Sequence, residues 1–178
     1  MISIGQIFRK DRDSTHFNKR RGGGVLIAVK SSFNCNEVIL PDNNVEQVFV
    51  MIYSAGLKFL IGSVYFPPDS PVSLYDSHCA DIETMLIKDF DEILFLGDYN
   101  LPVIDWNIPF ENEVVAIDCD LSYKAKIVVD SYSFLGLSQI NTIKNKYNKL
   151  LDLIFSNTTN VTCSVVDDPL TKCDSYHP

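Results

Sequence analysis

Five polar side chains stand where chemistry could be done: Tyr65, Asp98, Asn100, Asp152 and His177. Asp98 and Asn100 close the stretch Glu92-Ile93-Leu94-Phe95-Leu96-Gly97-Asp98-Tyr99-Asn100. In an extended backbone, positions i and i+2 point the same way, so a carboxylate and an amide would converge above a strand end. A carboxylate can hold a hard cation or take a proton from water, and an amide can donate to a phosphate oxygen. The same two residues also suit an ordinary capped turn. Asp152 interrupts the apolar run from Leu150 to Phe155. A charge there must find partners or cost several kcal/mol. His177, alone, could be incidental. A His held by a carboxylate, with an Asp and an Asn near a divalent ion, is a set suited to phosphodiester hydrolysis: the ion and the His stabilise phosphate charge, and an Asp activates water.

These residues need strands to hold them. Ile93 to Leu96 read as a strand buried on both faces, ended by Gly97. Val25 to Val29, Glu46 to Tyr53 and Phe59 to Tyr65 are further strands, the last two joined as a hairpin through Ser54-Ala55-Gly56. Pro67-Pro68 stops the hairpin, which leaves Tyr65 at a strand end as a half-buried rim residue or one aimed into a site. Residues 1–12, 137–140, 150–155 and 161–166 supply shorter strands. Helices are expected from Ser70 to Lys88, with Leu74, Ile82, Met85 and Leu86 sharing a face and His78 at the surface, and from Tyr123 to Phe134. Gly136 can cap the second. The apolar loop around Trp106 must pack onto something or cover a site, and residues 107–120 form an acidic loop. Strand pairs with two interleaved helices predict an α/β protein of two packed sheets with helices outside.

A length of 178 residues suits one domain, read as 1–178. No apolar run approaches a membrane span and no signal peptide opens the chain, so an intracellular protein is expected. Five scattered cysteines without a Cys-x-x-Cys pair argue against a disulfide framework and a zinc cage. Gly22-Gly23-Gly24 lacks the Lys-Ser/Thr ending and the helix of a phosphate loop. A net charge of −8 opposes contact with phosphates, yet six of the fifteen basic residues lie in the first 21 positions, and Lys144, Lys146 and Lys149 form a second cluster.

The order of motifs resembles the endonuclease/exonuclease/phosphatase superfamily, and more narrowly the endonuclease domain of non-LTR, LINE-type, jockey-like retrotransposons. The residues that carry the resemblance are Arg21-Gly22-Gly23-Gly24-Val25, Val64-Tyr65-Phe66-Pro67-Pro68, Leu96-Gly97-Asp98-Tyr99-Asn100, Leu151-Asp152-Leu153-Ile154-Phe155 and Ser175-Tyr176-His177-Pro178. The resemblance implies a two-sheet α/β sandwich flanked by helices. It implies that Tyr65 contacts the scissile phosphate, Asp98 orients or deprotonates the attacking water and is a weak metal ligand, and Asn100 helps hold the phosphate. Asp152 would hydrogen-bond His177, which stabilises the charged transition state or takes a proton. The implied ion is magnesium or manganese. The implied partners are DNA and the reverse transcriptase domain of a parent polyprotein, in the nucleus, with no membrane.

Two departures from the family pattern shape the expectation. The chain starts after the strands that normally carry an Asn and the principal metal-binding Glu, and Tyr176 occupies a position that is usually Asp. The reading is therefore a domain incomplete at its N-terminus and at its C-terminus, lacking its first strands, with weak or no DNA-nicking activity. The alternatives are a catalytically dead relic that binds DNA and a same-fold phosphoesterase acting on small phosphate substrates. A calcineurin-type metallophosphatase does not fit, because no Gly-Asn-His follows Gly97-Asp98.

Overall fold

The computed structural model describes residues 4–12, 23–41, 43–86, 90–107, 115–116, 121–166 and 175–177. The order is β1 (Ile4–Lys10), β2 (Val25–Lys30), β3 (Asn34–Glu37), β4 (Glu46–Ser54), β5 (Leu57–Tyr65), α1 (Val72–Leu86), β6 (Glu92–Asp98), β7 (Trp106–Asn107), β8 (Val115–Ala116), α2 (Tyr123–Phe134), β9 (Ser138–Gln139) and β10 (Asp152–Ser156). The main sheet has six strands in the order β3-β4-β5-β6-β10-β9, antiparallel except where β5 meets β6. That single parallel pair exists because α1 makes the crossover between its two strands, as parallel strands require. The β4–β5 hairpin turns on Ala55 and Gly56, both left-handed.

Two layers form on the two faces of this sheet. On one face Phe49, Leu60, Val64, Phe95 and Leu153 pack with Tyr75, Cys79 and Ile82 of α1 and Val128 and Tyr132 of α2. On the other, the antiparallel β1–β2 pair lies across β4, with Val29, Cys35 and Val50 buried among Phe8, Ile27 and Ile52. The α/β class and the two-sheet arrangement match the expectation. Ser122 caps α2, its side chain accepting from Ala125 N, and Gly136 (φ 71°) follows the last turn.

Several expectations are corrected. Residues 161–166 form no strand, since no described segment offers them a ladder partner. β3 is a polar edge strand with only Cys35 buried, which gave no apolar alternation to read. Part of the expected acidic loop is strand, because Val115–Ala116 pairs with Trp106–Asn107. Of the two courses expected of the apolar loop, 101–106 takes the first and packs onto the fold, burying Leu101, Ile104 and Trp106 in the helix-side core. His78 is no surface residue: it is 0% exposed. Leu74, Ile82 and Met85 share its buried face, while the side chain of Leu86 lies outside the described residues, as do residues 87–89, Lys19 to Gly22, Cys119, Cys173 and Asp174.

Candidate active site

Strand register sets the site. Across four neighbouring strands, Glu46 of β4 lies opposite Tyr65 of β5, Tyr65 opposite Asp98 of β6, and Asp98 opposite Asp152 of β10. Residues directly opposite on paired strands project to the same face, so these four form one transverse row at the sheet's end. It lies on the face turned away from the helices. Alternation explains the placement. Tyr99, next to Asp98, points the other way into the helix-side core, where its hydroxyl meets that of Tyr132 at 2.7 Å. The backbone beneath is pinned: Phe66 N donates to Asp98 O at 2.9 Å and Tyr99 N to Leu151 O at 3.0 Å. Gly97 is required here because a Cβ would lie 2.0 Å from Val64 O.

His177 completes the cluster. Its Nδ1 is 2.8 Å from Asp152 Oδ2, and its Nε2 is 3.9 Å from Asp98 Oδ2. The side chains are unequally covered: Asp98 is 13% exposed and His177 44%. Burial pushes the Asp98 carboxyl up to about 6, and the charge of Asp152 adds to that; the amide of Asn100 and nearby His177 pull it down. Asp152 thus has the partner its place in an apolar run demanded. Asn141 Nδ2 also donates to the Asp152 carbonyl at 2.6 Å, which ties the basic loop to β10.

Asn100 departs from expectation. Its backbone is left-handed (φ 47°), so it does not continue the strand beside Asp98. Asp98 Oδ1 instead accepts from Asn100 N at 3.0 Å, and Asn100 Nδ2 donates to Asp98 Oδ2 at 2.9 Å and to Phe66 O at 2.7 Å. The turn reading is realised, and within the turn the amide braces the carboxylate. Tyr65 is half-buried at the rim and lines, with Asp98, Asn100, Tyr147, Lys149 and His177, an open cavity of about 560 Å³. Tyr176, at the position that is usually Asp, is 54% exposed and packs its ring 5.2 Å from that of Tyr147.

Asp98, Asp152 and His177 each offer a donor atom, and these atoms all lie within 4.8 Å of one another. Two carboxylates and an imidazole suit a divalent cation that keeps part of its water shell. Sequence reasoning missed Glu46 and Arg12, which meet beside Tyr65 (Arg12 Nε to Glu46 Oε1, 2.5 Å). An acid opening the apolar run Val48–Ile52 was a signal, but only the register shows what it faces.

The fold is shared with a solved endonuclease domain and a second solved catalytic domain. The chain superposes on the endonuclease domain of TRAS1, a telomere-specific non-LTR retrotransposon, with a TM-score of 0.55 at 16% identity, covering 84% of this chain and 65% of that one. On the human Nocturnin catalytic domain the TM-score is 0.52 at 10% identity, covering 85% of this chain and 60% of the other. This chain therefore spans less than two thirds of the length of either. No family model matches the sequence, and no curated protein matches it. No helix among the described residues is long and apolar enough to cross a membrane.

Proposed function

We propose that this chain is a divalent-metal-dependent phosphodiester hydrolase that nicks DNA, of the kind that serves non-LTR retrotransposition. In that setting it would work in the nucleus alongside a reverse transcriptase domain of the same polyprotein. The observation that carries the reading is the bond between His177 Nδ1 and Asp152 Oδ2, which leaves His177 Nε2 facing Asp98. The TRAS1 likeness supports the choice of DNA over small phosphates.

Asp98 and Asp152 would hold the ion, magnesium or manganese, which when bound supplies positive charge to a phosphate oxygen. The chain's own groups do the rest. Asp98 orients the attacking water and takes its proton as the new P–O bond forms. Asp152 fixes the ring and tautomer of His177, so that the protonated imidazole donates a hydrogen bond from Nε2 to the phosphate as charge builds, and the leaving ester oxygen takes a proton from solvent as its P–O bond breaks. Asn100 braces Asp98, and Tyr65 donates its hydroxyl to the phosphate from the neighbouring strand. With only two carboxylates at the ion, turnover is expected to be weak.

The test is nicking of supercoiled plasmid at high protein concentration with magnesium or manganese. Metal-dependent nicking that disappears in Asp98→Ala is the expected result. Folded protein that nicks with neither ion, or nicking that survives Asp98→Ala, overturns the reading. Salt-dependent DNA binding without cleavage would then identify the chain as a binding relic.

A further inference from the structure

Arg12, Gly23 and Gly24 find no use in that chemistry, yet they converge on its rim. Arg12 follows β1 of the small sheet, and its side chain is only 11% exposed. Its Nε donates to Glu46 Oε1, and the other carboxylate oxygen of Glu46 accepts from Gly24 N. Glu46, 4% exposed, is thereby held on both oxygens. The Arg12 guanidinium lies over the Tyr65 ring, 5.4 Å from its centroid. Gly23 and Gly24 are both left-handed (φ 98° and 96°). A Cβ on Gly23 would lie 2.2 Å from the Arg12 guanidinium carbon, and one on Gly24 2.8 Å from Lys10 O. The two glycines are thus the cradle in which Arg12 lies flat.

The register makes this more than a buried ion pair. Glu46 stands opposite Tyr65, and Tyr65 opposite Asp98. A guanidinium held over the face of a phenol ring fixes the plane of that ring, and with it the direction in which the hydroxyl meets the open side, where Asp98 and the cavity lie. We propose that Arg12, clamped by Glu46 beneath Gly23 and Gly24, is a positioning residue that holds the Tyr65 ring with its hydroxyl toward the phosphate. The inference rests on the phosphodiesterase reading and deepens it.

Two measurements test it. In nicking kinetics, Arg12→Met should lower kcat by about 10²-fold, the scale of a positioned group misplaced by about 1 Å, with KM little changed. The same substitution in a Tyr65→Phe background should add less than about 2-fold, because residues that act as a unit are not additive. Arg12→Met/Glu46→Met removes the buried charge left by the single variant and should keep the fold without restoring the rate. Equal rate losses in both backgrounds, or a rise in KM alone, overturn the proposal. Loss of nicking in Asp98→Ala alongside such additivity would sink this inference and leave the functional reading standing.

The second measurement needs no turnover. In protein labelled with 3-fluorotyrosine, the fluorine signal assigned to Tyr65 by its loss in Tyr65→Phe should be dispersed in the intact chain. It should collapse toward the free-tyrosine shift in Arg12→Met/Glu46→Met. An unchanged signal overturns the proposal whether or not the protein nicks DNA.

Discussion

His78 and His177 are the same side chain in opposite settings. His78 sits among Phe49, Phe66, Tyr99 and Tyr132, with Nδ1 2.6 Å from Gln47 Oε1 and Nε2 2.8 Å from the Tyr132 hydroxyl. Burial drives its pKa down to about 3, so it is neutral. The partners then fix one tautomer: Nδ1 donates to Gln47, and Nε2 accepts from Tyr132. The chain of donors runs from Tyr99 through Tyr132, His78 and Gln47 to the Asp81 carboxylate, which Gln47 Nε2 reaches at 2.5 Å. His177 is half-exposed and lies against two carboxylates. An imidazole can move protons or meet a phosphate only where its charged form is tolerated and a ligand can reach it. His177 meets both conditions and His78 neither: one stands at the rim within reach of a ligand, the other is part of the core.

The sharpest way to break this contrast is to remove each ring. His177→Ala is expected to lower plasmid nicking by about 10³-fold, the range of a lost acid–base group. The melting temperature should hardly move, since the ring is 44% exposed. His78→Ala should do the reverse. It leaves a cavity and strips partners from Gln47 and Tyr132, a loss of about 3 to 5 kcal/mol read from urea unfolding. Nicking per folded molecule should stay within about 3-fold of the parent chain, since no catalytic step uses this ring. Comparable losses of activity in both variants would erase the distinction.

Acid sharpens it further. In the unfolded chain His78 binds a proton near pH 6.5, but in the fold only near pH 3. Its contribution to stability is complete above about pH 6.5 and is lost as pH falls toward 3, by about 2 kcal/mol at pH 5. Asp98 runs the other way: its folded pKa of about 6 lies above the ordinary carboxylate value of 3.8, so it favours the fold at low pH and loses that contribution as pH rises through 6. Urea midpoints at pH 7 and pH 5 should therefore be compared between the parent chain and His78→Gln, where Asp98 titrates alike in both. The pH-dependent loss should be smaller in His78→Gln by about 2 kcal/mol. Equal losses would show that His78 titrates normally.

How legible this was in the sequence depends on the residue. Asp98 could be placed at a rim because the apolar run Ile93–Leu96 is followed at once by Gly97, and alternation then sends Tyr99 to the core; the strand itself runs on to Asp98 and is fully buried on one face only. The β4–β5 hairpin and both helices follow from patterning and turn residues in the same way. His78 carried a signal that residue type masked. It stands four after Leu74 and four before Ile82, on the buried stripe of α1, and that spacing should have outweighed the polarity of the ring. Asn100 was misplaced because its left-handed backbone depends on bonds to Phe66 O and Asp98 that no local pattern encodes. Residues 161–166 have strand-forming composition but lack a neighbour, and a strand is defined by its ladder rather than by propensity. Arg12 and Glu46 are 34 positions apart and come from different sheets, so only the packed fold joins them.

The smallest effect is expected where the core breaks its own rule. Tyr99, Tyr132 and His78 all have their polar atoms paired, whereas Trp106 Nε1 is buried with no partner among the described residues. The indole packs edge-on against Phe155, with ring centroids 6.2 Å apart. Trp106→Phe removes a desolvated donor, a gain of about 1 to 3 kcal/mol, and sacrifices part of a packed ring, a loss of similar size. The two should nearly cancel, leaving the urea midpoint within about 1 kcal/mol of the parent chain. A loss above about 2 kcal/mol would mean that the indole N–H is paired in solution. Gln139 Oε1 would then remain the buried side-chain atom without a partner among the described residues.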